Sequence, residues 1–118
     1  LIISLSPPTV DLNDSVKKVI NEITSKRLGA TAVISKSKII GIITDGDIRR
    51  MLEKHDSISK LIASDVMTKD PVKIKHDILA TDAIKIMNDK NINHLIVTED
   101  SNFIGIVNVL DFIKEGIG

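Results

Sequence analysis

The sequence predicts an α/β fold of the α+β type: two copies of one β-α-β-β-α unit, packed sheet to sheet with pseudo-two-fold symmetry. The first observation is an internal repeat, because residues 39–48 (IIGIITDGDI) match residues 103–112 (FIGIVNVLDF) in apolar pattern, glycine and aspartate. The second is that each copy joins an amphipathic helical stripe to two β-branched runs separated by a polar turn. The third is size, since 118 residues make one compact domain and half of that length buries too little surface to be stable alone.

The spacing of the repeat predicts its loops. The copies lie 64 residues apart at the segment just quoted and 63 apart where Asp14 matches Asp77 and residues 32–34 match 95–97. They lie 62 apart where residues 10–12 match 72–74. We therefore expect one extra residue in each of two loops of the second copy. Two copies with so long a period indicate a paired module and not a solenoid.

The first repeat is predicted to occupy residues 1–56. A strand over residues 10–12 leads to Asp14, whose side chain we expect to cap the following helix. That helix is predicted from an i, i+3, i+4, i+7 apolar stripe formed by Val16, Val19, Ile20 and Ile23. Two strands (32–34 and 39–44) joined by the polar turn 35–38 follow, and a helix over 47–54 closes the unit.

The second repeat is predicted to occupy residues 72–118 in the same order. Its strand at 72–74 leads to Asp77 as the expected helix cap, and its helical stripe consists of Leu79, Ala83, Ile84, Ile86 and Met87. Strands at 95–98 and 103–109 and a helix at 110–114 complete it. Residues 57–71 form a structured linker with a weak helical stripe (Ile58, Leu61, Ile62), and Pro71 directs the chain into the next strand.

Composition argues against several classes of function. Basic and acidic residues balance at 16 each and the aromatics are Phe103 and Phe112, so we expect no nucleic-acid partner. No apolar run approaches the roughly 20 residues needed to span a bilayer, so we expect no membrane partner. The absence of cysteine is compatible with the cytoplasm, where we expect the protein to reside. Because the first residue is Leu1 and not Met, we expect the chain to be a piece of a longer protein.

The sequence predicts neither catalysis nor a bound metal. His55, His76 and His94 show no metal-ligand spacing such as an i, i+4 pair, and we expect no cofactor. The carboxylates are scattered, so no nucleophile, base and orienting partner can be assembled from their spacing. We therefore expect no catalytic residue in this chain.

The informative motif is residues 41–47 (GIITDGD), a buried strand that ends in Thr-x-x-Asp at the start of a helix. A structural interpretation is a capping box, in which Thr44 and Asp47 exchange hydrogen bonds with the helix backbone. A functional interpretation is ligand binding, because a helix N-terminus suits an anion or a sugar hydroxyl. The second copy keeps Asp111 and has Asn108 in place of the threonine. Arg49 and Arg50 follow the motif, and either a phosphate contact or a solvated helix surface fits them.

The order Gly-h-h-Thr-x-x-Asp at the end of this repeat resembles the CBS-domain family, and two copies in tandem resemble a Bateman module. The resemblance implies a regulatory module, often dimeric, that binds adenosine nucleotides or related metabolites in the cleft between the copies. It implies ribose contacts from Asp47 and Asp111, helped by Thr44 and Asn108, with Ile42 and Ile106 walling the base. It also implies a phosphate-facing pair at Asn93 and His94, which in the first copy falls on Ala30 and Thr31.

Four segments are similar in more detail to the C-terminal region of KpsF/GutQ-type arabinose 5-phosphate isomerases: residues 27–33 (RLGATAV), 44–50 (TDGDIRR), 65–71 (DVMTKDP) and 111–117 (DFIKEGI). This implies a parent enzyme of the lipopolysaccharide-sugar (Kdo) pathway. It would have an attached N-terminal sugar-isomerase (SIS) domain and assemble as a homodimer or higher oligomer. The implied effector is AMP, ATP or a CMP-sugar. Two alternatives stay open: the CBS pair of a sugar-nucleotide transferase, and a structural or oligomerisation module with vestigial pockets.

Overall fold

In this computed structural model the backbone of residues 7–114 and the side chains of residues 7–112 are described. The chain divides into two compact units, the first covering Pro8–Pro71 and the second beginning at Val72. Each unit is an α+β structure with its own sheet and its own helices. The predicted fold class is confirmed.

The first unit follows the predicted order and adds a short helix and strand at its end. Its elements are β1 (Thr9–Asp11), α1 (Val16–Lys26), β2 (Ala30–Ser35), β3 (Lys38–Thr44), α2 (Asp45–Lys54), α3 (Ala63–Val66) and β4 (Thr68–Lys69). The strands form one sheet in the order β1-β2-β3-β4, in which β1 runs parallel to β2 and the other neighbours are antiparallel.

The second unit repeats this arrangement. Its elements in the described part of the chain are β5 (Lys73–Lys75), α4 (Ala80–Lys90), β6 (His94–Glu99), β7 (Asn102–Asn108) and α5 (Val109–Lys114). The sheet order is β5-β6-β7, with β5 parallel to β6 and β6 antiparallel to β7.

The copies are related by a constant offset of 64 residues, so the predicted offsets of 62 and 63 are wrong. Val10 pairs with Val33 in the first sheet and Ile74 pairs with Val97 in the second. The left-handed residues that end α1 and α4, Arg27 and Asn91, keep the same spacing. The prediction failed because β2 and β6 contain continuous apolar runs, in which neighbouring residues match equally well at adjacent offsets.

Each unit has its own apolar core, and the two cores use equivalent positions. Buried residues of the first core are Val10, Val19, Ile23, Val33, Ile43 and Ala63. Those of the second are Ile74, Ala83, Met87, Leu95, Val97, Val107 and Phe112. The main difference is that Thr31, fully buried with its hydroxyl donating to the Ala32 carbonyl at 3.3 Å, stands at the place of Leu95.

The two predicted aspartate caps are wrong. Ser15 caps α1, its Oγ accepting from the Lys18 amide at 3.2 Å. Asp14 instead accepts from the Asp11 amide at 2.8 Å, which closes the turn before the helix. In the second unit the cap position falls on Leu79, which makes no side-chain cap bond.

Helix α4 also departs from its predicted apolar stripe. Ala83 and Met87 are buried as predicted, but Leu79 is 67% exposed because it precedes the first turn of the helix. Asp77 is exposed in the turn before it. The stripe therefore begins at Ala80, which packs against the second core, and not at Leu79.

The linker residues that follow α2 pack as part of the first unit. The linker's helix lies at Ala63–Val66 and not over the predicted stripe at Ile58, Leu61 and Ile62. The Ala63 amide donates to the Asp14 carbonyl at 2.8 Å, and the Ser64 amide donates to the Leu12 carbonyl at 3.0 Å. This anchoring places β4 against β3, where a Cβ on Gly41 would lie 2.6 Å from the Met67 sulfur, so a larger residue at Gly41 would push the linker away.

Candidate functional site

The strand-to-helix junction between β3 and α2 is a complete capping box. The Thr44 hydroxyl accepts from the Asp47 amide at 3.3 Å, and Asp47 Oδ2 accepts from the Thr44 amide at 2.9 Å. Asp47 Oδ2 also accepts from the Thr44 hydroxyl at 3.2 Å. The residue pattern specifies this arrangement locally, because the Thr and the Asp sit at the N-cap and N3 positions that satisfy each other's backbone donors.

The second carboxylate oxygen of Asp47 is occupied as well. Oδ1 accepts from the Arg50 guanidinium at 2.6 Å and from the Thr68 hydroxyl at 3.2 Å. Asp47 is 7% exposed, so its four hydrogen bonds form in a largely water-excluded place. We call Thr44, Asp47, Arg50 and Thr68 the first junction.

The junction between β7 and α5 is built in the same way from different residues. Asp111 Oδ2 accepts from the backbone amide of Asn108 at 2.8 Å, and the side-chain oxygen Oδ1 of Asn108 accepts from the backbone amide of Asp111 at 3.1 Å. Asparagine is as good an N-cap as threonine, which explains why the replacement leaves the turn intact. Asp111 is half-buried. We call Asn108 and Asp111, with their strand neighbours Asn93 and His94, the second junction.

In each sheet the start of one strand, β2 or β6, lies next to the capping residue at the end of the neighbouring strand. His94 is the strand partner of Asn108, and the Asn93 carbonyl accepts from the Val109 amide at 3.0 Å. The four polar second-copy residues predicted for the site therefore lie at one end of one sheet, and the fifth, Ile106, lies two residues before Asn108 on β7.

In the first copy the same strand positions carry no polar side chain. The Thr44 partner is Ala30, and the Gly29 carbonyl accepts from the Asp45 amide at 3.0 Å. The predicted counterparts of Asn93 and His94, Ala30 and Thr31, are therefore wrong by one residue, and the correct pair is Gly29 and Ala30. The error has the same cause as the misjudged offset.

Ile42 and Ile106, which were predicted to pack against the base of a nucleotide, are buried. They are not part of the two apolar cores described above. Ile42 is the strand partner of Ala32, and Ile106 is the strand partner of Ile96. These residues alternate with the core positions Ile43 and Val107, so they lie on the opposite face of each sheet. That face also carries Thr44 and Asn108, two residues further along the strands.

The junctions are suited to binding a hydroxyl-bearing ligand more than a bare anion. Two of the first three amides of α2 already have partners, since Asp45 donates to Gly29 and Asp47 donates to Thr44. Asp47 Oδ1 is engaged as well, so a ligand hydroxyl reaches it only by displacing Arg50 or Thr68. The Arg50 side chain itself is 57% exposed. Sequence reasoning missed Thr68 altogether, because it lies 21 residues from Asp47 and reaches it only through the packed linker. The Asp47–Arg50 contact had a signal, the i, i+3 spacing of opposite charges on a helix.

Neither a metal centre nor a membrane span emerges from residues 7–114. No three acidic or histidine side chains come together there in a way that could hold a metal ion. No helix in this range has the length and apolar character needed to cross a bilayer.

Family comparison assigns both copies to one family. The model described as "CBS domain" matches residues 2–54 and again residues 63–118. Arabinose 5-phosphate isomerase KdsD of Yersinia pestis is 34% identical over 111 residues, which are 93% of this chain and 34% of that protein. The Francisella tularensis protein of the same name is 39% identical over 108 residues, 91% of this chain and 33% of that protein. The chain thus spans about a third of the length of the curated relatives it matches.

Solved structures of CBS-domain proteins share the fold. The CBS domain protein NE2398 superimposes with a TM-score of 0.87 at 21% identity, covering 96% of this chain and 89% of that one. PAE2072 from Pyrobaculum aerophilum, complexed with AMP, gives 0.82 at 16% identity with coverages of 93% and 86%. The CBS pair of protein MJ0100, in complex with 5′-methylthioadenosine and S-adenosyl-L-methionine, gives 0.85 at 22% with coverages of 98% and 91%. The repeated unit, the capped strand-to-helix junctions and the double family match together show that the chain belongs to the CBS-domain family as a tandem pair, a class of ligand-binding regulatory module.

Proposed function

We propose that this CBS pair binds an adenosine nucleotide or a sugar nucleotide and regulates an attached enzyme, an arabinose 5-phosphate isomerase. The observation that carries the proposal is the repeated junction, in which a carboxylate is held at the third position of a helix at the end of a sheet. Asp47 and Asp111 occupy equivalent places, and each is fixed by backbone hydrogen bonds. A carboxylate fixed in this way is oriented to accept from the two hydroxyls of a ribose, which at Asp47 displace the donors now on Oδ1.

The surrounding residues suit the other parts of a nucleotide. Ile42 and Ile106 offer flat aliphatic surfaces on the face that carries the capping residues, and an apolar wall favours burial of a base. Asn93 and His94 supply polar groups beside Asn108 for a phosphate. The AMP and methylthioadenosine held by the structurally similar proteins are the same class of ligand.

The attached enzyme is inferred from the relatives. The chain matches one third of arabinose 5-phosphate isomerases at 34% and 39% identity, which leaves room in such proteins for a catalytic SIS domain on the N-terminal side. A ligand that binds one arrangement of the module better than another biases the attached domain by that difference in affinity. For an enzyme at the start of the Kdo pathway of lipopolysaccharide synthesis, a CMP-sugar end product is the fitting feedback effector. Such an enzyme is expected to work in the cytoplasm as a homodimer or higher oligomer.

Calorimetry with AMP, ATP and a CMP-activated sugar acid tests the binding proposal. Asp47→Asn keeps the size of the side chain and removes its charge, so we expect affinity for the bound nucleotide to fall about tenfold or more, or 1.4 kcal/mol. Asp65→Asn is the matched control, because Asp65 also occupies the third position of a helix and accepts from the Ile62 amide at 2.9 Å. Equal affinities of wild type and Asp47→Asn for every ligand would reject the site.

A second candidate function is that of a structural or oligomerisation module. It is favoured by the hydrogen bonds of the first junction, which are all made within the chain. All acceptor positions of Asp47 are engaged within the chain, and Gly29 and Ala30 offer no side-chain polar group to a phosphate. A thermal-shift screen of metabolites combined with sedimentation separates the two functions. Self-association with no stabilising metabolite supports the structural role, and a ligand-dependent rise in melting temperature supports the regulatory one.

A further inference from the structure

Arg50 is bound to the carboxylate that the proposed ligand needs. One guanidinium nitrogen lies 2.6 Å from Asp47 Oδ1 across one turn of α2, while 57% of the Arg50 side chain remains exposed. Gly46 gives the guanidinium room, since a Cβ at that position would lie 3.3 Å from Nη1 and 3.6 Å from Nη2 and would crowd the group by a few tenths of an ångström. The bare glycine therefore lets the guanidinium lie over the first turn of the helix.

The carboxylate has no acceptor capacity left while this contact stands. Two bonds on Oδ2 come from Thr44, and two bonds on Oδ1 come from Arg50 and Thr68. A carboxylate offers about four lone-pair sites in all. The Oδ2 bonds close the helix cap, so the two adjacent hydroxyls of a ribose can enter only on Oδ1, where together they displace both Thr68 and Arg50.

A ligand that displaces the Arg50 side chain from Asp47 leaves a guanidinium that needs a new hydrogen-bond partner. Its hydrogen bond to Asp47 is charge-assisted, and such bonds are roughly twice as strong as neutral ones. A ligand that brings only hydroxyl groups removes the Asp47 partner and gives Arg50 nothing in return. A ligand that also carries a phosphate or carboxylate gives the guanidinium a matching anion, since its planar fork suits bidentate contact.

Resting on the proposed nucleotide function, we propose that Arg50 is a latch that makes the first junction selective for anionic ligands. In the free chain the Arg50 guanidinium donates to Asp47 Oδ1 and blocks it. When a nucleotide binds, its sugar hydroxyls donate to Oδ1 instead, and its anionic group accepts from the Arg50 guanidinium. A neutral nucleoside of the same base and sugar is disfavoured, because it breaks the Asp47–Arg50 pair without replacing it.

The second junction lacks the glycine that gives the Arg50 guanidinium its room. Leu110 stands at the place of Gly46 and is 57% exposed. A side chain at this position of the first junction would crowd the guanidinium, whose Nη1 lies 3.3 Å from the position of the added Cβ. The variant Gly46→Leu therefore copies the second junction at this position and should weaken the Asp47–Arg50 contact without removing the charge of Arg50.

Two pairs of probes test the latch in the full chain: AMP against adenosine, and CMP against cytidine, each by calorimetry. For Arg50→Ala we expect the affinity ratio of nucleotide to nucleoside to fall about tenfold, with nucleoside binding tighter and nucleotide binding weaker. For Gly46→Leu we expect the nucleoside to bind tighter while the nucleotide changes less, because the arginine is still present. Arg49→Ala is the matched control, since Arg49 is an exposed arginine on the same helix with no polar side-chain contact among the described residues.

The outcomes separate the latch from the function on which it rests. Circular dichroism confirms that each variant folds. If nucleotides bind to wild type and are lost in Asp47→Asn, but Arg50→Ala keeps the wild-type ratio, the latch is wrong and the proposed function stands. An equal drop of the ratio in Arg49→Ala also rejects it, because the effect would then come from the general charge of the helix. Absence of binding by all four probes to wild type rejects the latch for these ligands, and the nucleotide function is rejected only if ATP and the CMP-activated sugar acid also fail to bind.

Discussion

Thr44 and Asn108 are different residues that perform the same capping task at equivalent positions. Each accepts from the amide of an aspartate three residues later, at 3.3 Å and 3.1 Å respectively. The chemistry that matters is a short side chain with an oxygen acceptor, which both residues supply. The replacement of threonine by asparagine in the second copy is therefore no sign that its junction has decayed.

Exchanging the cap in the first junction tests this equivalence. We expect Thr44→Asn to change the free energy of unfolding by less than about 0.5 kcal/mol and Thr44→Ala to lower it by about 1 kcal/mol. The physical reason is that alanine leaves the Asp47 amide without its acceptor, whereas asparagine restores it. Urea unfolding followed by circular dichroism measures both values, with Asn108→Ala as the parallel variant in the second copy. A loss in Thr44→Asn as large as that in Thr44→Ala would contradict the cap as the source of the stability.

At the scale of single residues, the sequence predicted which side chains meet but not what else they touch. Thr44 with Asp47 and Asn108 with Asp111 are local pairs, so a short motif was enough to place them. Thr68 reaches Asp47 only because the linker packs on the first unit, and no local pattern records that contact.

At the scale of elements, the two hairpins show the same backbone with unequal residue choices. In the β2–β3 turn the central residues Lys36 and Ser37 have φ values of 50° and 67°, and in the β6–β7 turn Asp100 and Ser101 have 50° and 69°. Positive φ at both central positions of a two-residue loop defines the type I′ turn, whose twist matches the strands. Aspartate tolerates this conformation better than lysine does, so the first hairpin carries more backbone strain.

Rebuilding the first turn as Asn-Gly is expected to stabilise the chain. The double variant Lys36→Asn with Ser37→Gly should raise the free energy of unfolding by about 1 kcal/mol, because both new residues adopt positive φ at low cost. Urea denaturation measures the change. Ser35→Gly is the control: it places a glycine in the strand beside the turn and should lower stability by about 0.5–1 kcal/mol. A double variant no more stable than wild type would show that the turn is not strained.

Elements could be predicted from the sequence more reliably than their exact ends or the offset between the two copies. The order of strands and helices follows from period and turn residues, which act locally. The cap at Ser15 was missed because Asp14, one residue earlier, is an equally good capping type and is used to close a turn. The offset between the copies was misjudged because apolar strands match one another at several offsets, and the pairing of Gly41 with Val33 and of Gly105 with Val97 shows the constant value of 64.

At the scale of the whole molecule, the segment that follows α2 is a part of the first unit. Its backbone bonds to the residues that precede and begin α1: the Ala63 amide donates to the Asp14 carbonyl and the Ser64 amide donates to the Leu12 carbonyl. The Leu61 carbonyl accepts from the Val16 amide at 3.2 Å. Ala63 is fully buried in the first core. Through Met67 and Thr68 the same segment contacts Gly41 and Asp47, so the end of the linker helps to build the first junction.

Hydrogen exchange on the full chain tests this role. We expect the amides of Ala63 and Ser64 to exchange as slowly as those in the middle of α1, because their hydrogen bonds open only when the first unit opens. Asp56 and Lys60, which are exposed between α2 and this segment, should exchange orders of magnitude faster. The measurement is amide exchange followed by NMR or mass spectrometry, and Met67→Gly, which weakens the packing on Gly41, should speed exchange at Ala63 more than at Val19. Exchange of Ala63 and Ser64 at the rate of Asp56 would mean that the segment is a free tether, and the Thr68–Asp47 contact would then be too short-lived to help hold the first junction closed.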